Sequence, residues 1–205
     1  MPVNDDPADL VEAVFHLMGR ALPRDYAQPL QHALAAALSW LCRDAGVGIL
    51  SLRLVPGSDT LALLSQRTRL ILRVHANRMD ALQALNGQVL EVAGHRLALG
   101  AVHLRTLQPH ATLYAHRVAA SSVDEVGFMQ QVNDELARMA IAGERVCGKC
   151  QRLRLAEQDI PTFSLLVHGL AADQSLRLQQ QGVGAHRLLG CGIFVPHKSA
   201  AAVGG

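Results

Sequence analysis

The spacing of apolar residues divides the chain into segments with the period of a helix and segments that alternate as strands do. In the first half the pattern predicts a strand at 10–18, a helix at 23–41, a strand at 47–55, one interrupted strand covering 61–65 and 69–75, a short helix at 78–85, and strands at 89–99 and 101–107 broken near Gly94 and Gly100. The predicted order is therefore β-α-β-β-α-β with one extra strand.

The second half repeats that order. It predicts a strand at 112–120, a helix that buries Met129, Val132, Leu136 and Met139, a hairpin of strands at 145–155 and 163–170, a helix at 172–181, and a strand at 190–196. Ser122 and Glu125 have the spacing of a capping box ahead of the first of these helices. Two such units predict an α+β fold of two tandem ferredoxin-like (βαββαβ, RRM-like) domains. We expect them to cover 1–109 and 110–198, followed by a flexible tail at 199–205.

A glycine-rich, basic loop separates the last predicted helix from the last predicted strand. Its candidate residues for contact with a phosphate chain are Gly182, Gly184, His186, Arg187, Gly190 and Gly192. A dinucleotide-binding motif has the order strand, glycines, helix, and the order here is the reverse. Glycines still permit close approach of backbone N–H groups to a phosphate, and Arg187 is the favoured phosphate ligand. The alternative is that Gly182 and Gly184 only end the helix and turn the chain.

Composition narrows the class of protein. Half of the 205 residues are apolar and 3% are aromatic, so we expect an aliphatic core with few platforms for base stacking. No apolar run has the roughly 18–20 residues that a membrane span needs, so no membrane partner is expected. Four irregularly spaced cysteines indicate reduced thiols, and the acidic first nine residues lack the pattern of a signal peptide. These features favour a cytoplasmic protein.

The net charge is only +2, yet bases cluster towards the end of the chain, where seven follow position 144 against three acids. Lys149, Arg152 and Arg154 lie on the predicted hairpin, where a basic strand face suits an RNA stem; the alternative is a solvated face. Arg67, Arg69 and Arg73 form a second basic line.

Cys147 and Cys150 have the spacing of one zinc knuckle, but a zinc site needs four ligands, so we expect no metal and a tight turn there.

Several of these segments together resemble a known family. The run Gly182-x-Gly184-x-x-Arg187-x-x-Gly190-Cys191-Gly192-Ile193-Phe194-Val195-Pro196 is similar to the glycine-rich signature of the CRISPR-associated endoribonucleases of the RAMP superfamily, which process precursor CRISPR RNA. Shorter similarities occur in order at 19–23, 46–49, 113–115, 141–144 and 175–179. The resemblance therefore spans nearly the whole chain.

The resemblance implies a specific reaction. Such proteins bind a repeat hairpin and cut at the 3′ base of its stem, without a metal or another cofactor. The 2′-hydroxyl before the cut attacks the adjacent phosphate and leaves a 2′,3′-cyclic phosphate and a 5′-hydroxyl. Many members remain bound to the mature guide RNA and associate with other subunits of the effector complex.

The resemblance also indicates which residues catalyse this reaction. A histidine on or before the first helix often acts as the base, and His32 is the only histidine on the predicted helix. Related proteins often have histidine where this chain has Tyr26, which could donate a proton or position the phosphate. Two alternatives stay open: a subunit that binds guide RNA hairpins without cutting them, and an unrelated tandem ferredoxin-like protein that binds metabolites or other subunits.

Overall fold

The computed structural model describes residues 10–198, and these residues form two compact units, the first ending at Thr106 and the second beginning at Leu107. The expectations for the first nine residues and for the tail at 199–205 lie outside the described residues. Within 10–198 no helix is long and apolar enough to cross a membrane.

The first unit is built on an antiparallel sheet. In chain order its elements are β1 (Leu10–Met18), β2 (Ala21–Pro23), α1 (Ala27–Ala37), β3 (Gly48–Ile49), β4 (Val55–Pro56), β5 (Leu61–Leu63), β6 (Arg69–His75), α2 (Met79–Gln83), β7 (Val89–Val92) and β8 (His95–Thr106). The main sheet has the order β3-β6-β1-β8-β7, and β2, β5 and β4 form a separate three-stranded sheet. The central strand β1 therefore pairs on both edges, which explains why Ala13, Phe15 and Leu17 are buried.

Several predicted boundaries in the first unit are wrong. The helix begins at Ala27, because Pro23 belongs to β2 and pairs with Leu61. The predicted strand at 47–55 reduces to β3 and β4 at its two ends. The segments at 61–65 and 69–75 belong to different sheets, so they are not one interrupted strand. The strand break falls at Ala93 and Gly94 only, and β8 continues through Gly100.

The second unit follows the predicted order of elements. These are β9 (Thr112–Ala119), α3 (Glu125–Arg138), β10 (Glu144–Arg154), β11 (Asp159–His168), α4 (Ala172–Gln181) and β12 (Val195–Pro196). Its sheet has the order β10-β11-β9-β12. Taken along the chain this order is second, third, first, fourth, and β3, β6, β1 and β8 of the first unit are arranged in the same order.

One aliphatic core holds the second unit together. Phe128, Val132 and Leu136 of α3 pack on the sheet, with Phe128 stacked on Phe163 at 4.5 Å between ring centroids. Met129 and Met139, which the pattern placed in the core, are partly buried against the same cluster. This core fixes α3 and the sheet, which between them carry the glycine-rich loop.

Two local predictions in the second unit are also wrong. Asp124, and not a Ser122–Glu125 box, caps α3, because its carboxylate accepts hydrogen bonds from the N–H groups of Val126 and Gly127. Ser122 accepts only from the N–H of Asp124. The closing strand is two residues long, since the segment from 190 to 194 belongs to the loop.

Candidate functional site

The glycine-rich loop packs on itself and on β9. Gly182, Gly184, Gly190 and Gly192 have φ of 69°, 74°, 82° and 67°, a region that favours glycine. A Cβ on Gly182 would meet the carbonyl oxygen of Gly192, and a Cβ on Gly192 would meet that of Val183, each under 3.0 Å. Glycine is therefore required for the two ends of the loop to approach each other.

Most backbone N–H groups at the two ends of this loop donate within the protein. The N–H of Gly184 donates to the Glu135 carboxylate on α3 (2.7 Å), and that of Gly192 donates to the carbonyl oxygen of Arg117 on β9 (2.7 Å). The N–H of Val183 donates to Gly192 (3.3 Å). These contacts hold the loop between α3 and β9.

Arg187 and His186 occupy the middle of the loop. The Arg187 guanidinium donates to the carbonyl oxygens of Gln181 (2.7 Å) and Gln180 (3.0 Å), which satisfies acceptors at the C-terminal end of α4. It also lies where a Cβ on Gly182 would be. His186 is exposed and has a left-handed backbone conformation, with φ of 66°.

Arg117 is a charged residue beside this loop that the sequence pattern did not single out. It lies with His116 in a β-bulge of β9, between Ala115 paired to Leu165 and Val118 paired to Phe163. Its guanidinium makes no hydrogen bond or ion pair with any described residue, and its Nε is buried. Burial, and then the neighbouring Arg117, lower the pKa of His116 below its ordinary value. Two polar residues in succession within an apolar strand were the available signal.

The basic hairpin is formed by β10 and β11. Lys149, Arg152 and Arg154 are all exposed on β10, the edge strand of the sheet, and Arg152 lies 4.0 Å from the Asp159 carboxylate. The three charges thus lie on the hairpin, as predicted, and on a strand that pairs along one edge only within residues 10–198.

The segment from Cys147 to Cys150 is not a turn, as was predicted, but a β-bulge inside β10. Cys147 pairs with Leu165 and Cys150 with Phe163, so two residues, Gly148 and Lys149, lie opposite Ser164 alone. A Cβ on Gly148 would overlap the Ser164 hydroxyl, which explains the glycine. Within 10–198 no three His, Cys, Asp or Glu side chains are grouped to hold a metal ion.

The two candidate catalytic residues lie at α1 of the first unit, Tyr26 at its N-terminal cap and His32 in its middle. His32 is exposed, on the opposite side of the helix from the buried Leu30 and Leu34, and it makes no hydrogen bond or ion pair with a described residue. Tyr26 precedes the helix, and its hydroxyl oxygen accepts a 2.7 Å hydrogen bond from the N–H of Leu52.

The second basic line is interrupted by a buried ion pair. Arg73 is fully buried and donates to Glu12 at 2.6 Å, while Arg105 binds the other carboxylate oxygen through Nε at 3.0 Å. The three residues are directly opposite one another on β6, β1 and β8. Burial raises the pKa of Glu12, but Arg73 and Arg105 together bring that pKa below its ordinary value. Arg73 is therefore not part of an exposed basic line.

Comparison with solved structures identifies the fold. The chain is similar to a CRISPR-associated Cas6 protein, with a TM-score of 0.63 at 10% identity over 92% of this chain and 100% of that one. It is also similar to a RAMP protein described as binding different RNA substrates (TM-score 0.60, 11% identity, 90% and 98% covered). A Cse3 protein of Thermus thermophilus, bound to an RNA representing a pre-cleavage complex, gives a TM-score of 0.53 at 12% identity, with 91% and 98% covered. These likenesses show that the chain has the α+β fold of the Cas6 and RAMP structures.

The family follows from sequence comparison. The Cas6 family model, described as Cas6 Crispr, matches residues 11–199. The CRISPR-associated endonuclease Cas6 of Myxococcus xanthus (strain DK1622) is 34% identical over 194 residues, which cover 94% of this chain and 84% of that protein. This chain belongs to the Cas6 family of CRISPR-associated endoribonucleases, as the glycine-rich signature predicted. The alternative of an unrelated metabolite-binding or subunit-binding protein is therefore wrong.

Proposed function

We propose that this protein binds the repeat hairpins of precursor CRISPR RNA and cuts each one at the 3′ base of its stem without a metal ion. It then stays bound to the mature guide RNA in the cytoplasm, together with other subunits of an effector complex. The two units, which divide between Thr106 and Leu107, act as the tandem ferredoxin-like domains expected at 1–109 and 110–198. The shared second-third-first-fourth strand order of their sheets supports this assignment.

The proposed reaction breaks one phosphorus–oxygen bond and forms another. The 2′-oxygen of the nucleotide before the cut attacks its 3′-phosphate, and the 5′-oxygen of the next nucleotide leaves. His32 accepts the proton of the 2′-hydroxyl, and Tyr26 donates a proton to the leaving oxygen or positions the phosphate. A histidine suits the role of base because its ordinary pKa, about 6.5, lies near neutral pH.

The observation that carries this proposal is the exposed, unpaired imidazole of His32. The apolar face of α1 is occupied by Leu30 and Leu34, so the helix holds the exposed His32 on its outer side. By contrast, the Tyr26 hydroxyl already accepts a hydrogen bond from Leu52. A phenolic hydroxyl can both accept and donate a hydrogen bond, so the contact with Leu52 is compatible with the proposed role of Tyr26.

We assign RNA binding to two parts of the second unit. The exposed residues Lys149, Arg152 and Arg154 of β10 provide positive charge for the stem backbone. The second part is the glycine-rich loop. Its side chains for the phosphate chain are His186 and Arg187, and its shape is set by Gly182, Gly184, Gly190 and Gly192. Arg187 contributes its positive charge while its guanidinium donates to the carbonyl oxygens at the end of α4.

The test is a single-turnover cleavage assay in EDTA with end-labelled repeat RNA. Wild type should release a product that ends in a 2′,3′-cyclic phosphate. His32→Ala should slow cleavage by about 10²-fold or more, the loss expected for general acid–base catalysis. Tyr26→Phe should slow it as well if the phenol proton is used.

Gln31→Ala supplies the matched control, because Gln31 lies beside His32 on the same helix and should leave the rate unchanged. An unchanged rate in His32→Ala would remove His32 from the mechanism. Tight binding by wild type with no cleavage would instead identify a subunit that only holds the guide RNA.

A further inference from the structure

Arg117 is a partly buried cation without a partner in the described part of the chain. Buried or partly buried arginines are normally paired, because removing the charge from water is costly. The other partly buried arginines of residues 10–198 follow this rule and donate to carboxylates or carbonyl oxygens: Arg69, Arg78, Arg145, Arg177 and Arg187. Arg117 alone among them makes no such contact.

The position of Arg117 is determined by two backbone features. The bulge of β9 adds one residue to the strand, and bulges redirect side chains, often beside functional sites. The carbonyl oxygen of Arg117 also accepts the 2.7 Å hydrogen bond from Gly192, so the residue is attached directly to the glycine-rich loop. The backbone of Arg117 is therefore fixed where the loop contacts the sheet.

The charge of Arg117 affects the pKa values of two neighbouring side chains. It lowers the pKa of His116, and it opposes the effect of burial on the pKa of the Cys191 thiol. No carboxylate forms an ion pair with it within the described residues, and the nearby Glu135 is engaged with Gly184 and Gln131. Arg117 therefore has no anionic partner among residues 10–198.

We propose that the guanidinium of Arg117 binds a phosphate of the RNA backbone where the glycine-rich loop lies against β9. This rests on the proposed function and adds a contact to it. The planar guanidinium presents two parallel N–H groups to phosphate oxygens, which lysine cannot do. A histidine is never negatively charged, so the adjacent His116 cannot neutralise Arg117, whereas a phosphate can.

The experiment measures RNA affinity by fluorescence anisotropy as a function of salt. The RNA is the repeat with a 2′-deoxy nucleotide before the cut, so that no cleavage occurs. Arg117→Ala should weaken binding about tenfold to a hundredfold, the range of a charge-assisted hydrogen bond. The slope of log affinity against log salt should fall by about one, as expected for one lost phosphate contact. Arg117→Gln should reproduce both changes if the alanine variant is poorly folded, and Arg117→Lys should keep the slope.

Arg138→Ala is the control, since it removes the same charge from an exposed position on α3 where the side chain donates to the Asp134 carbonyl oxygen. It should leave affinity and slope nearly unchanged. Equal affinity and slope in wild type and a folded Arg117→Gln variant, with tight binding by both, would overturn this assignment and leave the proposed function standing. Failure of wild type to bind repeat RNA would overturn both.

Discussion

Replacing Gly192 by alanine tests whether the glycine-rich loop is shaped by contact with itself. Gly192 has a φ of 67°, and a Cβ there would lie under 3.0 Å from the carbonyl oxygen of Val183 and 3.1 Å from its carbonyl carbon. Both atoms are backbone, so a side-chain movement cannot relieve the overlap. The loop would have to separate from its own start.

Gly169→Ala is the matched control. Gly169 has a similar φ of 73°, but nothing lies within 4 Å of the position of its Cβ. This variant therefore experiences only the cost of a left-handed alanine, about 1–2 kcal/mol. Gly192→Ala adds about 1–3 kcal/mol for overpacking and about 1 kcal/mol for the weakened hydrogen bond from Val183. We expect the second variant to lose about 2–4 kcal/mol more of its free energy of unfolding than the first.

Urea unfolding followed by circular dichroism measures this difference. Gly192→Ala should unfold at a clearly lower urea concentration than Gly169→Ala, with a similar slope. Equal losses in the two variants would mean that the overlap is relieved without cost, and the argument that glycine is required for close approach would fail.

Three further predictions concern charge, capping and thiol reactivity. Because the pKa of Glu12 is lowered in the folded state, its stabilising effect is fully present above its unfolded pKa of about 4.3 and is lost as pH falls through the folded value. Glu12→Gln should cost about 3–5 kcal/mol at pH 7, by leaving Arg73 buried without its partner, and should flatten the acid limb of a stability–pH profile; an unchanged profile would contradict this. Asp124→Ala should cost about 1 kcal/mol of stability in thermal melts, clearly more than Ser122→Ala, and the reverse order would restore the capping box. Burial raises the pKa of the Cys191 thiol to about 11, and burial with smaller effects of Glu125 and Cys150 raises that of Cys147 to about 11. Both thiols should therefore react with a disulfide reagent at pH 8 more slowly than the exposed Cys42. Peptide mapping that shows faster labelling at Cys191 than at Cys42 would count against the burial of Cys191.

Long periodic segments were predictable from the sequence because their own residues determine them. The bounds of β1 and α4 agree with the pattern, since Gly19 follows β1 and Gly182 follows α4. The short strands β3, β4 and β5 were not, because a run of alternating residues does not specify which strand it pairs with. Residues 47–65 contribute to two sheets, and tertiary pairing decides where each ladder stops.

The functional residues differ in the same way. The shared face of Arg152 and Arg154 followed from their spacing along one strand, and the position of His32 followed from the period of α1. Which of Arg73, Arg117 and Arg187 have partners within the protein could not be predicted, because this depends on which strand or helix end lies opposite. Sequence alone treats every arginine as an available charge, whereas the fold binds two of these three internally.

The edge strand β10 has a consequence for association between copies of the chain. An unpaired strand edge readily adds a strand from another molecule, and proteins prevent this with bulges and with charged side chains along the edge. The bulge at Gly148 and the charges of Lys149, Arg152 and Arg154 are features of this kind. Substitutions that remove these charges to weaken RNA binding would therefore also favour self-association through β10. The solubility of the free protein thus limits how many of these charges can be removed.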